Sequence, residues 1–232
     1  MCFISGQFDD SKLGIQMAKS LRPSGRSDAP EGERNSRDAS LLEAATDLFY
    51  RRGYSATSIQ EVADAVGITK ASIYYYIESK EELLYRIVQQ IHGPLHMNLA
   101  RLEASSLSTG DRLESFIATH IRVCGSNVQA GRVFFTDFRQ LQGEPRHRIA
   151  EERMAYDRWF RKLFKEAQAE GIICPDVDPD IAVPSTLSHL NSVCLWYRPD
   201  DLIPLDALTE SYTTYVMRGL SCTSNCSSHR SP

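Results

Sequence analysis

The side chains best suited to chemistry in this chain lie in one tract, Thr57 to Lys80. Within it Lys70, Ser72, Tyr74, Tyr75 and Tyr76 bring an ammonium, a hydroxyl and three phenols onto one short stretch. These groups donate hydrogen bonds, and Lys70 adds positive charge. That is the complement of phosphate oxygens and of base edges, which accept. Lys80 falls in the first turn of a following helix, where the helix dipole disfavours a cation unless an anion is near. A nucleic-acid phosphate is such an anion, and the free N–H groups of the helix start would help to hold it. A tyrosine run at helical spacing is more often packing than a nucleic-acid platform. The elements around it decide between the two.

Leu41, Ala45, Leu48 and Phe49 form one apolar helical stripe. Arg51 and Arg52 close that helix at the end where cations are favoured, and Gly53 supplies the left-handed cap. Ser58 and Glu61 have the spacing of a capping box, so a second helix starts at Ser58. Ile59, Val62, Ala63 and Val66 face inward, and Gly67 makes a sharp turn that needs positive φ. Thr69 caps the next helix. Ile73 and Ile77 anchor it, leaving Lys70, Ala71, Tyr74 and Tyr75 outside. Ser79 and Glu82 form a second capping box, opening a helix whose inner face is Leu84, Ile87, Val88 and Ile91. Two short helices joined by a glycine turn have the layout of a helix-turn-helix, whose second helix enters the DNA major groove.

The stretch from about Ser36 to His92 resembles the DNA-binding domain of the TetR family of transcriptional regulators. The residues that carry the resemblance are Ala44-Ala45, Leu48-Phe49, Gly53-Tyr54, Thr57, Ile59, Ile68, Ile73-Tyr74-Tyr75-Tyr76-Ile77, Lys80 and Leu83-Leu84. Ile77 stands where the family usually has Phe, and Tyr76 where it often has His. The resemblance implies roles residue by residue. Thr57 and Ser58 are phosphate contacts. Lys70 and Ser72 are base or phosphate contacts, and Tyr74 packs on a thymine methyl or a sugar. Tyr75 and Tyr76 donate to phosphates, and Lys80 clamps the backbone. Only Lys70, Ala71, Ser72 and Tyr74 are placed to discriminate bases. The segment is not net basic, because Asp47, Glu61, Asp64, Glu78, Glu81 and Glu82 offset its cations. Affinity is therefore expected from a local patch of Arg37, Arg51, Arg52, Lys70 and Lys80, with a shallow salt dependence for each monomer.

The chain has 232 residues and a formal net charge of -4, which excludes a polybasic DNA-coating protein. No apolar run has the length of a membrane span and the N-terminus lacks a secretory core, so a cytoplasmic protein is expected. Six scattered cysteines read as free thiols, with Cys124 and Cys194 on apolar faces. Cys222, Cys226 and His229 sit in a Ser-rich tail, where a loose tail is the leading reading over a metal site. Residues 1–33 read as a disordered arm. Met17 is a second candidate start within it, and Lys19, Arg22 and Arg26 are cations able to reach a neighbouring groove. Residues 34–92 form the helix-turn-helix domain, with Gly93-Pro94 ending or kinking its last helix. Residues 93–220 form a second helical domain, and 221–232 a loose tail. In the second domain helices are expected over about 128–141, 145–170, 179–197 (kinked at Pro184) and 204–220. No strand pattern appears, so the fold class is all-α.

The resemblance further implies a homodimer, paired through the helices at about 179–198 and 204–220, that reads a palindromic operator as double-stranded DNA. It also implies release by a small-molecule effector bound in the helical domain. Candidate walls for that effector are Phe116, Phe135, Phe138, Tyr156, Trp159 and Trp196, with His120, Asn127, His189 and Asn191 as polar determinants. Core packing is the competing reading for each. Arg122, Arg132, Arg139, Arg146, Arg148 and Arg153 suit a carboxylate or phosphate. They point either to an acyl-CoA or aromatic-acid effector or to a solvated charged face. No nucleophile–base pair, phosphate loop or metal-ligand spacing on a helix is found, so no catalytic residue, cofactor or metal is expected. A helical enzyme is thus disfavoured. A TetR-like protein that has lost DNA binding remains the alternative.

Overall fold

A computed structural model describes residues 31–200 and 202–221, all of its regular structure helical. The expected arm up to residue 30 and the tail beyond residue 221, with Cys222, Cys226 and His229, lie outside the described residues. The elements in chain order are α1 (Glu31–Arg52), α2 (Ile59–Ala65), α3 (Lys70–Ile73), α4 (Lys80–Glu103), α5 (Thr109–Ser126) and α6 (Val128–Asp137). A single 3-10 turn (Phe138–Gln140) follows, then α7 (Gly143–Ala169), α8 (Pro179–Asn191), α9 (Val193–Trp196) and α10 (Leu205–Leu220). None of these helices is long and apolar enough to cross a membrane.

The first helices pack as their stripes predict. Leu41, Ala45 and Phe49 of α1 bury against Val62 and Ala63 of α2, Ile73 of α3 and Leu84 of α4. The rest of the core is mostly aliphatic, with an aromatic stack set into it. Phe116 of α5 stacks on Phe160 of α7 at 4.4 Å and 7°, and Phe160 meets Phe164 edge-on at 6.2 Å. The three cysteines among the described residues, Cys124, Cys174 and Cys194, are buried.

Three boundaries differ from the sequence reading. Helix α4 does not end at Gly93-Pro94 but runs on to Glu103. Its buried stripe continues through Ile91, Leu95, Leu99 and Leu102. An interior proline costs about 3 kcal/mol. Burying the three leucines beyond it contributes about 1.5–3 kcal/mol each and outweighs that cost. Helix α8 continues past Pro184 but ends at Asn191, short of the expected 197, capped by Ser192, whose hydroxyl donates to the His189 carbonyl at 2.6 Å. Arg132 of α6 satisfies carbonyls left open beyond that break, donating to Cys194 O at 3.1 Å and to Leu195 O. Finally, α1 begins at Glu31, inside the expected arm.

Candidate nucleic-acid interface and effector cavity

The turn chemistry of the helix-turn-helix is present atom by atom. Glu61 N–H donates to Ser58 Oγ at 3.2 Å, and Ser58 N–H donates back to Glu61 Oε2 at 2.7 Å. Gly67 has φ of +71° and Gly53 of +85°, a region open to glycine at little cost. Thr69 Oγ1 accepts from Ser72 N–H at 3.1 Å and shares a hydrogen bond with Ser72 Oγ at 2.9 Å. The second box is half formed. Ser79 Oγ accepts from Glu82 N–H at 3.1 Å, but Glu82 reaches back to Glu78 N–H, at 2.5 Å.

α3 proper is only four residues long. Its hydrogen bonding continues as tighter turns, with Tyr75 N–H donating to Ser72 O and Tyr76 N–H to Ile73 O. Ile73 and Ile77 are buried, so they hold the segment down. Tyr74 and Tyr75 are 46% and 62% exposed, and Ser58, Lys70 and Ala71 are exposed beside the caps. Two large apolar rings left in water on a segment anchored from below are unusual for packing residues. Tyr76 and Ser72 are half-buried.

Two expected contacts change. Thr57 is 2% exposed, and its hydroxyl donates to Gly53 O at 3.0 Å. Its backbone N–H donates to Tyr54 O. It fixes the turn and offers no group to a phosphate. Lys80 is half-buried, with Nζ 4.1 Å above the Tyr54 ring and 5.8 Å from that of Phe49. Burial lowers its pKa, while Asp137 and Glu61 oppose the shift. The rings thus supply part of what a phosphate was expected to supply. Arg51 pairs with Asp47 and Arg52 with Glu61, both at 2.8 Å and both exposed. Such surface pairs are worth about 1 kcal/mol or less, so a phosphate can compete for these cations.

Helix α6 ties this region to the rest. Gln129 donates to Asp47 at 3.3 Å, Arg132 donates to the Tyr50 hydroxyl at 3.4 Å, and Tyr54 N–H donates to Asp137 at 3.5 Å. Glu81 at the start of α4 accepts from Gln142 N–H at 2.5 Å.

On either side of Pro94, α4 forms one wall of a cavity of about 710 Å³, with α5, α6, α7 and α8 around it. Ile91, Leu95, Phe134, Phe135 and Leu187 give it apolar sides. A polar triad from three helices is set into it. His120 Nδ1 lies 3.0 Å from the Tyr156 hydroxyl, and His120 Nε2 lies 2.9 Å from Asn191 Oδ1. The amide oxygen can only accept, so Nε2 carries the proton and Nδ1 accepts from tyrosine. Burial pushes the His120 pKa down to about 4, against a smaller opposing effect of Asn191, so the ring is neutral. Burial also raises the Tyr156 pKa well above the ordinary range, which keeps it a donor.

His120, Phe135, Tyr156 and Asn191 therefore line the cavity as expected. Phe116, Phe138 and Trp159 do not. Phe116 is spent in the aromatic stack, Trp159 lies against it at 5.6 Å, and Phe138 packs on Phe134 at 5.4 Å. Trp196, Asn127 and His189 also lie elsewhere. The Asn127 amide donates to Val123 O and His189 stacks on Tyr212. Of the six expected arginines only Arg153 lines the cavity. Its guanidinium lies 5.1 Å from the Phe138 ring centre, and surrounding protein and the charge of Arg139 both lower its pKa. It makes no ion pair among the described residues; Asp157, which also lines the cavity, pairs instead with Arg161 at 3.6 Å. Asp157, Arg158, Met154, Leu95 and His96 also line it and were not anticipated. The signal for the last two was the apolar stripe that continues past Pro94.

Residues 41–87 match the family model described as bacterial regulatory proteins, tetR family, and residues 106–220 match the tetracyclin repressor-like C-terminal domain. The HTH-type transcriptional repressor KstR2 of Rhodococcus jostii (strain RHA1) is 26% identical over 200 residues, covering 83% of this chain and 95% of that protein. Its namesake in Mycobacterium tuberculosis (strain ATCC 25618 / H37Rv) is 25% identical over 195 residues, covering 83% of this chain and 97% of that one. The solved structure of the ketosteroid transcriptional regulator KstR2 of Mycobacterium tuberculosis superposes with a TM-score of 0.76 over 82% of this chain and 97% of its own, at 22% identity, and so speaks for the fold. AibR, solved in complex with isovaleryl coenzyme A and operator DNA, is 26% identical with a TM-score of 0.66, covering 77% and 97%. With both halves matched, and with relatives that are transcriptional regulators over nearly their whole length, this chain belongs to the TetR family of DNA-binding transcriptional regulators.

Proposed function

We propose that the chain is a repressor that binds a palindromic operator as a homodimer and is released by an organic anion, an acyl-CoA or a free carboxylic acid, in the cavity of about 710 Å³. The carrying observation is that one helix serves both ends. α4 starts at Lys80, beside the tyrosine-bearing segment, and its middle turns, from Ile91 to His96, wall the cavity. A ligand that shifts α4 changes the separation of two recognition helices, which must lie about 34 Å apart to fit neighbouring turns of DNA. Contacts to DNA are assigned to Ser58, Lys70, Ala71, Ser72, Tyr74, Tyr75 and Tyr76, with Lys80 in a supporting place.

The effector's charge rests on Arg153, a guanidinium over the Phe134 and Phe138 rings whose neighbouring acid in the cavity, Asp157, is paired with Arg161. The apolar sides fit an acyl chain or ring, and the AibR complex is a family precedent for a coenzyme A thioester. The homodimer is assigned to α8 and α10, where Ile181 is 67% and Tyr215 63% exposed, continued by exposed Leu195, Trp196 and Ile203. Apolar area of that kind is normally covered. A DNA-bound regulator works in the cytoplasm of a bacterium.

The test uses a labelled duplex of the chain's own upstream DNA, bound by the protein and then challenged with a panel of acyl-CoAs and free acids. At least one member releases the duplex and raises the melting temperature of the wild type. Arg153→Gln binds DNA normally but needs about tenfold more compound. No release and no thermal shift across the panel would overturn the effector assignment.

A further inference from the structure

A second cluster of polar groups stands in the cavity wall, apart from the His120 triad. His92 and His96 lie one turn apart on α4, and Glu152 reaches toward them from α7. One ligand atom of each, ring nitrogen or carboxylate oxygen, lies within 4.8 Å of the other two. Among the described residues this is the one group of three or more His, Cys, Asp or Glu so placed. We propose that His92, His96 and Glu152 form a binding site for a divalent transition-metal ion of the zinc class, with a further coordination position facing the cavity.

The ligand chemistry selects the ion. Two imidazoles and one carboxylate suit Zn²⁺, Co²⁺ or Ni²⁺, whereas Ca²⁺ and Mg²⁺ take oxygen ligands. Three protein ligands with one open position is also the composition of exchangeable zinc sites, as distinct from closed structural ones. Much of the geometry is set in advance. His92 is buried, its ring is held edge-on to Phe134 at 4.9 Å, and its Nδ1 is 3.1 Å from Glu152 Oε2. An ion takes the place of the proton between them.

Zinc bonds of about 2.0–2.1 Å place tetrahedral ligands roughly 3.3 Å apart. His96 and Glu152, both partly exposed, therefore need to move by about an ångström. Glu152 has the outer support that a ligating carboxylate needs, because Gln89 Nε2 donates to its Oε2 at 3.2 Å. His92 and His96 both line the cavity, so a water or an effector oxygen can complete the shell. A bound ion would tie α4 to α7 on the helix that begins beside the recognition segment. The spacing went unread in the sequence because Pro94, between the two histidines, was taken to interrupt the helix.

The experiment uses the full chain without an affinity tag, carrying C222S and C226S so that the tail thiols cannot supply the site, and stripped of metal by a chelator. It is titrated with Co²⁺, followed by visible absorption, and then with Zn²⁺. The site predicts one Co²⁺ per chain, with ligand-field bands of four- or five-coordinate cobalt that Zn²⁺ abolishes. H96Q and E152Q weaken uptake by about a hundredfold while helical circular dichroism is unchanged. H147A removes the exposed His147–Glu151 pair, 3.1 Å apart, and leaves uptake intact. Absence of stoichiometric uptake, or uptake equal in H96Q, E152Q and the parent, overturns the proposal. Neither result depends on operator binding.

Discussion

The recognition segment and the cavity domain both use aromatic side chains, to opposite ends. Tyr74 and Tyr75 are held up in water by two buried isoleucines beneath them, whereas Phe116 stacks on Phe160 and Phe160 meets Phe164 edge-on, all three with no exposure. The difference lies in the length of the supporting helix. A four-residue helix cannot wrap its aromatics into a core, while the 18 and 27 residues of α5 and α7 give each ring a facing partner. An aromatic run therefore signals an interface where the flanking caps make the element short, and packing where the stripe is long.

The largest effect that sharpens this contrast is on stability. Phe160→Ala empties the centre of the stack and is expected to cost about 3–5 kcal/mol, while Tyr75→Ala costs less than about 0.5 kcal/mol; urea midpoints measure both. A comparable loss at Tyr75 would make it a packing residue and break the comparison.

Next comes acid. The His120 pKa, about 4 in the folded chain, lies below the ordinary histidine value of about 6.5. The unfolded chain therefore takes up the proton first. The stability conferred by the neutral ring is complete above about pH 6.5 and is lost as pH falls toward about 4, on the order of 3 kcal/mol in all. Urea midpoints at about pH 7 and pH 5 will show it, and His120→Gln will flatten that part of the decline. Nothing in the recognition segment carries a comparable buried histidine.

A smaller effect tests the joint between the two regions. A Cβ at Gly131 of α6 would lie 2.2 Å from Cys194 Sγ and 2.8 Å from its Cβ. Gly131→Ala must push α9 away from α6 and is expected to cost about 1–3 kcal/mol by denaturant titration. Smaller still is Ser58→Ala, which removes one cap from α2 and costs about 1 kcal/mol. If Gly131→Ala were neutral, α9 would not be held in close contact with α6.

The turns between the first four helices were legible because each has a local chemical cause. Ser58, Gly67, Thr69 and Ser79 act on neighbours within a few residues, so spacing alone reveals them. The cavity domain was legible only as helices. Pro94 and Pro184 are tolerated because distant burial outweighs a local cost, and α8 ends at Asn191, beyond which Arg132 meets carbonyls from 62 and 63 residues away. The same limit explains the misplaced site residues. Whether Phe116 faces a ligand or Phe160, and whether the Thr57 hydroxyl faces a phosphate or the Gly53 carbonyl, depends on the packing partner and not on the spacing.

The central claim is that the exposed Tyr75 and Lys70 of paired chains read a duplex. Fluorescence anisotropy of a labelled upstream duplex at physiological salt tests it most directly. The prediction is saturable binding of two chains per duplex. The Lys70→Ala, Tyr75→Phe double variant should weaken it by at least about tenfold, with an unchanged melting temperature. Equal affinity of the double variant, or saturation at one chain per duplex, would contradict it.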